Sequence, residues 1–370
     1  MENLVERAYS PAFWTGRRIL LTGHTGFKGA WLSLWLTSMG AKVFGYANDV
    51  PTRRSLFDDA GIANLMDDRR GDVRNQQEYR EVLTEAAPEI VLHLAAQPLV
   101  RLSYAEPVLT YATNITGTVN VLEEVRLSTN PCPVLVITTD KCYENREWDW
   151  GYRENEPMGG HDPYSSSKAC AELIASAYHR SYSDKMKSFS VTTARAGNVI
   201  GGGDWADDRL IPDLVRGVQS GRITGIRNPR AIRPWQHVLE PLSGYLMLAR
   251  RLLDREPVDG QGWNFGPAAE SEVPVSHVAS KVCHLLGREE GWCDESTTEQ
   301  QHEAQNLRLD ITKARVRLGW HPRWTLDEAL NATITIYKSQ SKGEALRSLL
   351  LEQIEAYVSK QIETPRLQHV

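Results

Sequence analysis

The sequence predicts an α/β fold, a doubly wound parallel sheet with a smaller lobe interleaved towards the carboxy terminus. Three observations carry this reading. Short, continuous apolar runs alternate with longer helical patterns through the first half of the chain. A glycine-rich turn follows the first of these runs and opens the first helix. After Ala194 the texture changes, and Gly, Asp, Trp and Pro become frequent from Gly197 to Pro241. Strands without polar alternation belong to a sheet covered on both faces. Right-handed crossovers between parallel strands then wind that sheet doubly.

In order, Arg18 to Thr22 (RILLT) is the first strand and Phe27 to Met39 the helix after it, stopped by Gly40. Lys42 to Tyr46 is the next strand. Asn75 to Ala86 reads as a helix, Ile90 to Leu94 as a strand and Val108 to Leu127 as a long helix. Val134 to Thr138 (VLVIT) and the helix Pro163 to Arg180 continue the alternation. WNFGP, Trp263 to Pro267, again resembles a strand end, which ties the second half to the same sheet. The expected division is a sheet domain over residues 1–195, completed by later segments, and a mainly ligand-holding lobe over 196–370. A charged helical tail begins at Ser339, and the sequence assigns it no role. No internal repeat stands out.

The 370 residues are 41% hydrophobic and 24% charged, as in a globular chain with a sizeable core. The formal net charge is −5 and no basic block runs along the chain, which argues against a nucleic-acid partner. Cys132, Cys142, Cys170, Cys283 and Cys293 are scattered, and no histidine spacing suggests ligands. Neither a disulfide framework nor a metal site is expected, which fits a reducing compartment. Met1 to Trp14 lacks the apolar run of a signal peptide, and nowhere do about 18 apolar residues follow one another. A cytoplasmic protein without a membrane span is expected.

Gly23-His24-Thr25-Gly26-Phe27-Lys28-Gly29 places Gly-x-x-Gly-x-x-Gly between a strand and a helix. The backbone must turn sharply there and approach a pyrophosphate closely, and the helix amino terminus offers it free N–H groups. Gly23, Thr25, Gly26, Phe27, Lys28 and Gly29 are the expected dinucleotide contacts. Asp49 lies roughly 20 residues past the third glycine, where a carboxylate accepts from the adenosine ribose and repels a 2′-phosphate. NAD is therefore favoured over NADP. Lys28, Arg53 and Arg54 could neutralise an extra phosphate, but a solvated face is the reading preferred. Asp72-Val73 and Ala95-Ala96-Gln97 should line the same crevice.

Tyr164-Ser165-Ser166-Ser167-Lys168 puts a phenol and an ammonium on one helical face. The preceding strand ends in Thr138 and Thr139, whose hydroxyls can reach the same site. A tyrosine of ordinary pKa near 10 is a poor base, and moving it to about 7 takes roughly 4 kcal/mol. One cation about 4 Å away supplies that much at an effective dielectric near 20. Lys168 and the nicotinamide ring are the expected cations. Thr139 would hold the substrate hydroxyl while Tyr164 takes its proton and hydride leaves the carbon.

Taken together, these residues resemble the nucleotide-sugar branch of the extended short-chain dehydrogenases/reductases, a Rossmann-fold family, from about Gly16 to Leu330. The resemblance rests on GHTGFKG (23–29), TDKCY (139–143), YSSSK (164–168), ARAGNVIGGGDWADDRLIPD (194–213), RPWQHV (233–238) and LDITKARVRLGWHP (309–322). It is strongest to the dehydratases of that branch that take CDP-glucose. It implies bound NAD and internal redox of a nucleotide sugar, with Thr139, Asp140, Lys141, Tyr164 and Lys168 as the catalytic set. Dehydratases of the dTDP branch carry Thr-Asp-Glu where this chain has Thr139-Asp140-Lys141, and His and Asp where it has Leu99 and Arg101. The plain epimerases of the fold lack such a pair. Two roles stay open for Lys141: base at carbon 5, favoured slightly, or a charged group steadying the enolate while another group takes the proton. The base role requires a neutral amine, which desolvation and neighbouring cations promote. Asn198, Arg209, Arg233 and Asn264 are candidates for diphosphate and ribose contacts, and Trp205 and Trp235 for the base pocket or, equally, for lobe packing. Gly201-Gly202-Gly203 reads as a flexible substrate loop. The resemblance also implies a homodimer or higher oligomer paired through the helices Val108 to Leu127 and Pro163 to Arg180. A nucleotide-binding regulator without turnover is the reading from another class, and an intact Thr139, Tyr164 and Lys168 argues against it.

Overall fold

The computed structural model describes residues 8–297 and 306–361 and is organised around one parallel sheet of seven strands. The amino-terminal segment read above as lacking a signal peptide lies partly outside that range, at residues 1–7. The strands are β1 (Arg18–Thr22), β2 (Lys42–Ala47), β3 (Asp67–Arg70), β4 (Ile90–His93), β5 (Val134–Ile137), β6 (Val191–Ala196) and β7 (Gly262–Phe265). Their spatial order is β7-β6-β5-β4-β1-β2-β3, every neighbour parallel. The order reverses between β1 and β4, and a crevice opens there at the carboxyl ends of the strands.

Alternate side chains of each central strand feed two different cores. Ile19, Leu21, Ile90, Leu92, Leu135 and Ile137 pack on one face. There they meet Trp31 and Trp35 of α1 (Phe27–Ser38) and the buried side of the helix 239–253. Leu20, Val91, Val134 and Val136 face the other way, towards the helices 76–86, 117–127 and 163–182. This two-sided burial is why the strands read as unbroken apolar runs.

The helices used below are α2 (Gln76–Ala86), α3 (Val100–Ala105), α4 (Pro107–Tyr111), α5 (Gly117–Leu127), α6 (Pro163–Tyr182), α7 (Leu210–Gln219), α8 (Leu239–Leu253), α9 (Val275–Leu285), α10 (Leu326–Lys342) and α11 (Leu346–Ser359). The long helix expected from Val108 to Leu127 starts at Pro107 and is broken by a π-helical turn, Ala112–Thr116, between α4 and α5. A third core joins α7, α9 and α10 through Leu214, Val215, Val278, Val282, Leu330 and Ile334.

The tail is part of the body of the protein. Tyr357 on α11 donates its hydroxyl hydrogen to Glu240 Oε2 at 2.7 Å and packs edge-on against Trp35. Arg347 donates to the carbonyls of Ala60 and Gly61, each at 2.8 Å. Leu346, Leu350 and Tyr357 are buried, and each such side chain is worth about 1.5–3 kcal/mol of transfer free energy.

Candidate active site

The glycine-rich loop is built for close approach. Gly23 has φ +76°, and a Cβ on it would stand 2.6 Å from the Ala95 nitrogen. A Cβ on Gly29 would stand 2.1 Å from the Gly23 carbonyl oxygen. Only glycine lets the turn fold down on the helix at these two positions. Gly26 is the N-cap of α1 and no side chain caps it, so the first N–H groups of the helix stay available to a ligand. A Cβ there would meet only one atom within 4 Å, the Gly23 oxygen at 3.4 Å, which leaves the space a phosphate needs. These residues fit a dinucleotide.

One cleft of about 820 Å3 runs from this loop across the strand ends. Gly23, Thr25, Gly26, Phe27, Lys28, Gly29, Asp49, Asp72, Val73, Ala95, Ala96 and Gln97 all line it, as do Thr139, Asp140, Lys141, Tyr164 and Lys168. Asp49 is exposed at the rim just beyond β2, and Thr25 Oγ1 donates to the neighbouring Asn48 carbonyl at 3.2 Å. Asp72 is engaged by Arg74, whose guanidinium holds that carboxyl below the usual range. Gln97 is pinned within the protein: its amide donates to Thr110 Oγ1 at 2.8 Å and its own N–H to Asn114 Oδ1 at 2.8 Å. Lys28 points towards the reacting end of the cleft, where burial and the charges of Arg209 and Lys168 push its amine down to about 7. Arg54 lies over the Trp205 ring at 4.3 Å. Lys28 is thus drawn into the cleft rather than solvated, while Arg53 and Arg54 are exposed at the surface, as the solvated reading expected.

The helix that carries Tyr164 and Lys168 starts where its cap dictates. Asp162 Oδ1 accepts from the Ser165 N–H at 2.9 Å, and Pro163 fills the first position. Tyr164 and Lys168 follow on one face of α6. Lys168 Nζ donates to the Ile137 carbonyl at 3.2 Å, which ties the helix to the end of β5. Burial pushes this amine down to about 8, against the pull of the Glu172 carboxylate. Burial also pushes the Tyr164 phenol up to about 12, and the hydrogen bond with Thr139 only partly opposes it. The expected drop towards 7 is not supplied by the protein's own groups, because desolvation of the phenolate outweighs them.

Thr139 caps the short turn Asp140–Cys142 and donates to Asp140 Oδ1 at 2.9 Å. Asp140 is buried, and its Oδ2 has no hydrogen-bond partner among the described residues. Lys141 Nζ stands 3.9 Å from Asp140 Oδ1 with its side chain 29% exposed. Across the cleft, Asn198, Trp205, Arg209, Arg233 and Trp235 line the lobe side. Arg209 pairs with Asp204 at 3.2 Å, and Trp235 Nε1 donates to the Val273 carbonyl at 3.2 Å. Arg101, on α3, reaches Asp208 of the facing loop at 2.6 Å.

Residues 20–333 match the GDP-mannose 4,6 dehydratase family. The chain belongs to this dehydratase family. It is 51% identical to the CDP-glucose 4,6-dehydratase of Salmonella typhimurium, over 94% of this chain and 98% of that one. It is 27% identical to a dTDP-glucose 4,6-dehydratase of Xanthomonas campestris pv. campestris, over 92% and 99%. In fold it is similar to the dTDP-glucose 4,6-dehydratase of Streptomyces venezuelae solved with NAD, with TM-score 0.76, 21% identity and coverage of 89% and 99%.

Within this dehydratase-family chain, two expectations at the lobe do not hold. Asn264 does not line the cleft: it is fully buried, accepts from the Tyr143 hydroxyl at 2.7 Å and donates to the carbonyls of Tyr152 and Asp310. Its place at the end of β7, inside the sheet, is the reason. Nor is Gly201-Gly202-Gly203 flexible. All three are buried, Trp31 Nε1 donates to the Gly202 carbonyl at 3.1 Å, and a Cβ on Gly202 would stand 2.1 Å from Ile336 Cβ. Their glycines serve close packing. Asn114 went unread: it sits in the π turn and its amide donates to Ser167 Oγ at 2.8 Å, joining that turn to α6. No local pattern marks it. The ion pair of Glu172 and Arg195 beneath α6 was also silent in the sequence.

Proposed function

We propose that this chain converts CDP-D-glucose into CDP-4-keto-6-deoxy-D-glucose and water. The observation that carries the reading is the Asp140–Lys141 pair beside Tyr164 and Thr139 in one cleft, within a chain 51% identical to a CDP-glucose 4,6-dehydratase. Tyr164 takes the proton of the sugar's 4-hydroxyl, and Thr139 holds that hydroxyl in line. The glycine-lined half of the cleft, Gly23 to Gly29, would hold NAD, which would supply a positive ring near the phenol and the hydride acceptor and donor for carbons 4 and 6. The 4-keto group acidifies carbon 5, from which Lys141 takes the proton and to which it returns one as carbon 6 receives the hydride. Asp140 gives a proton to the departing 6-hydroxyl; its partnerless Oδ2 is an atom such a hydroxyl can satisfy. Arg209 and Arg233 suit the diphosphate, since a guanidinium binds phosphate through two parallel N–H groups. Asn198, Trp205 and Trp235 shape the remainder of a nucleotide-sugar lobe built mainly from residues 196–370.

Incubating the protein with CDP-, dTDP-, UDP- and GDP-glucose and NAD tests the reading. A 4-keto-6-deoxy product, seen by its alkaline absorbance, should form from CDP-glucose at least tenfold faster than from the others. A 4-epimer without that absorbance, or a preference for another base, would overturn it.

NAD is preferred over NADP in this reading because Asp49 stands at the ribose rim without an ion pair among the described residues. A hydrogen bond to a charged group is worth about 1.5–3 kcal/mol. Asp49→Ala should therefore weaken NAD binding by roughly 10- to 100-fold and narrow the gap to NADP, as read by protein fluorescence titration. A parent that already binds NADP more tightly removes Asp49 from this role.

The protein acts in the cytoplasm as a homodimer or higher oligomer in this reading. No described helix is long and apolar enough to cross a membrane. Val108 on α4 and Leu173 on α6 are 80% and 57% exposed on neighbouring helices, and a second copy would cover them. Leu173→Glu should halve the mass measured by sedimentation at micromolar concentration; a parent that sediments as a monomer refutes the pairing.

A further inference from the structure

Glu172 lies one turn beyond Lys168 on α6 and does not line the cleft. Each of its carboxylate oxygens accepts two hydrogen bonds. Oε1 receives the Thr138 hydroxyl and Arg195 Nε, the latter at 2.9 Å. Oε2 receives Thr193 Oγ1 at 2.6 Å and Arg195 Nη2 at 2.7 Å. Arg195 in turn donates through Nη1 to the Tyr143 hydroxyl at 2.6 Å, and Tyr143 passes its own hydrogen to Asn264 Oδ1. Glu172 and Arg195 are 5% and 4% exposed.

The placement of these partners matters more than their number. Thr138 immediately precedes the Thr139-Asp140-Lys141 turn and Tyr143 closely follows it. One charge pair therefore grips the turn at both ends, while its carboxylate rides on the helix that carries Tyr164 and Lys168. Stability is a poor explanation for the pair. Replacing a buried ion pair by packed apolar side chains is often neutral or stabilising, so its cost is met without gain unless geometry is the object. Fully satisfied polar networks rigidify what they touch.

We propose that the Glu172–Arg195 pair is a positioning device, which sets the Thr139-Asp140-Lys141 turn against Tyr164 and Lys168 for the reaction proposed above. The pair also acts on charge. Lys168 is faced by Glu172 on its own helix, Cys142 after β5, His93 on β4 and Lys28 on α1. Glu172 is faced by Arg195, by Cys142 and by Lys313. Of these only the Glu172 carboxylate favours the Lys168 ammonium where Lys168 titrates, since burial keeps the Cys142 thiol protonated. Neutralising Glu172 lowers the Lys168 pKa further, so the ammonium is lost at a lower pH and the alkaline limb of turnover moves towards acid.

Glu172→Gln and Arg195→Lys, compared with the parent as NAD-loaded protein, test this. A misplacement of about 1 Å can cost on the order of 100-fold in rate. Both variants should lose at least tenfold in kcat with KM for CDP-glucose within about threefold of the parent. The alkaline limb should move to lower pH in Glu172→Gln and stay in place in Arg195→Lys, which keeps its charge and loses only its fork. Crystal structures of the variants should show the turn displaced from Tyr164 by more than ~0.5 Å, the tolerance of a preorganised site. If Glu172→Gln does not fold, Arg195→Lys carries the test. A kcat within twofold of the parent, or an undisplaced turn, overturns the proposal. A parent inactive on every nucleotide-glucose refutes the functional reading alone, and the displacement of the turn still decides this one.

Discussion

Tyr164→Phe is expected to lose CDP-glucose turnover by about 100- to 10,000-fold, the range a positioned general base supplies, while binding NAD as the parent does. The ring stays in its buried seat, 8% exposed in the parent, and only the hydroxyl is lost. Nothing in the glycine loop touches that hydroxyl, so cofactor affinity should move by less than threefold. The pH dependence adds a second readout. Burial holds the phenol high, at about 12, and Lys168 low, at about 8, in the protein alone. With NAD bound, its positive ring would bring the phenol below Lys168, so turnover of the parent should rise with pH as the phenolate forms and fall as Lys168 loses its proton at pH above about 8. The residual rate of the phenylalanine variant should lack the rising limb. A variant rate within tenfold of the parent would assign the proton acceptor elsewhere.

Lys141→Met should separate the two halves of the reaction. The side chain reaches towards Asp140 from the turn after β5, at 3.9 Å, and among the described residues makes no hydrogen bond or ion pair with Tyr164 or Lys168. Oxidation at carbon 4 relies on Tyr164, Thr139 and Lys168, none of which the substitution touches. Reduced-cofactor absorbance should consequently appear on mixing with CDP-glucose and persist. Exchange of the carbon 5 hydrogen with deuterated solvent should fall by about 100-fold or more, and product formation with it. If exchange survives while product formation fails, Lys141 acts as a charge beside the enolate. If both survive, the base at carbon 5 is another group.

What could be read in the sequence follows from which information is local. β1, β4 and β5 were legible because burial on both faces leaves no polar alternation, and the first helix because a glycine turn opens it. β3 was not: Asp67-Asp68-Arg69-Arg70 is a charged strand at the sheet edge, with one neighbour and half-exposed side chains. That the glycine loop and the helix of Tyr164 and Lys168 border one cleft was legible because each carries its pattern within a few residues. Glu172 and Arg195 were not, since a buried ion pair is defined by a partner more than 20 residues away. Asn264 and the three consecutive glycines were misread for the same reason. An amide suits a ligand or a core network equally well, and glycine permits either motion or close contact. Only the neighbours decide, and Tyr143, Ile336 and Leu56 are distant in sequence.

The packed glycines bear on how the cleft can move. Gly201 fits between Phe27 and Val238, Gly202 against Ile336, and Gly203 against Leu56, each with no room for a methyl group. Rigid-body closure of one lobe on another needs a few residues whose backbone torsions can swing. The tight packing of this seam argues against a hinge there. The exposed part of the entrance is instead Asp207 and Asp208 of the loop 204–209, which form surface ion pairs with Arg216, Arg227 and, across the gap, Arg101, while Asp204 and Trp205 of the same loop are buried. Such a pair is worth about 0–1 kcal/mol, little enough to open and close freely as sugars come and go. Attempts to widen the range of accepted nucleotide sugars should begin with that loop, because enlarging any of the three glycines would jam the seam before it reshaped the entrance.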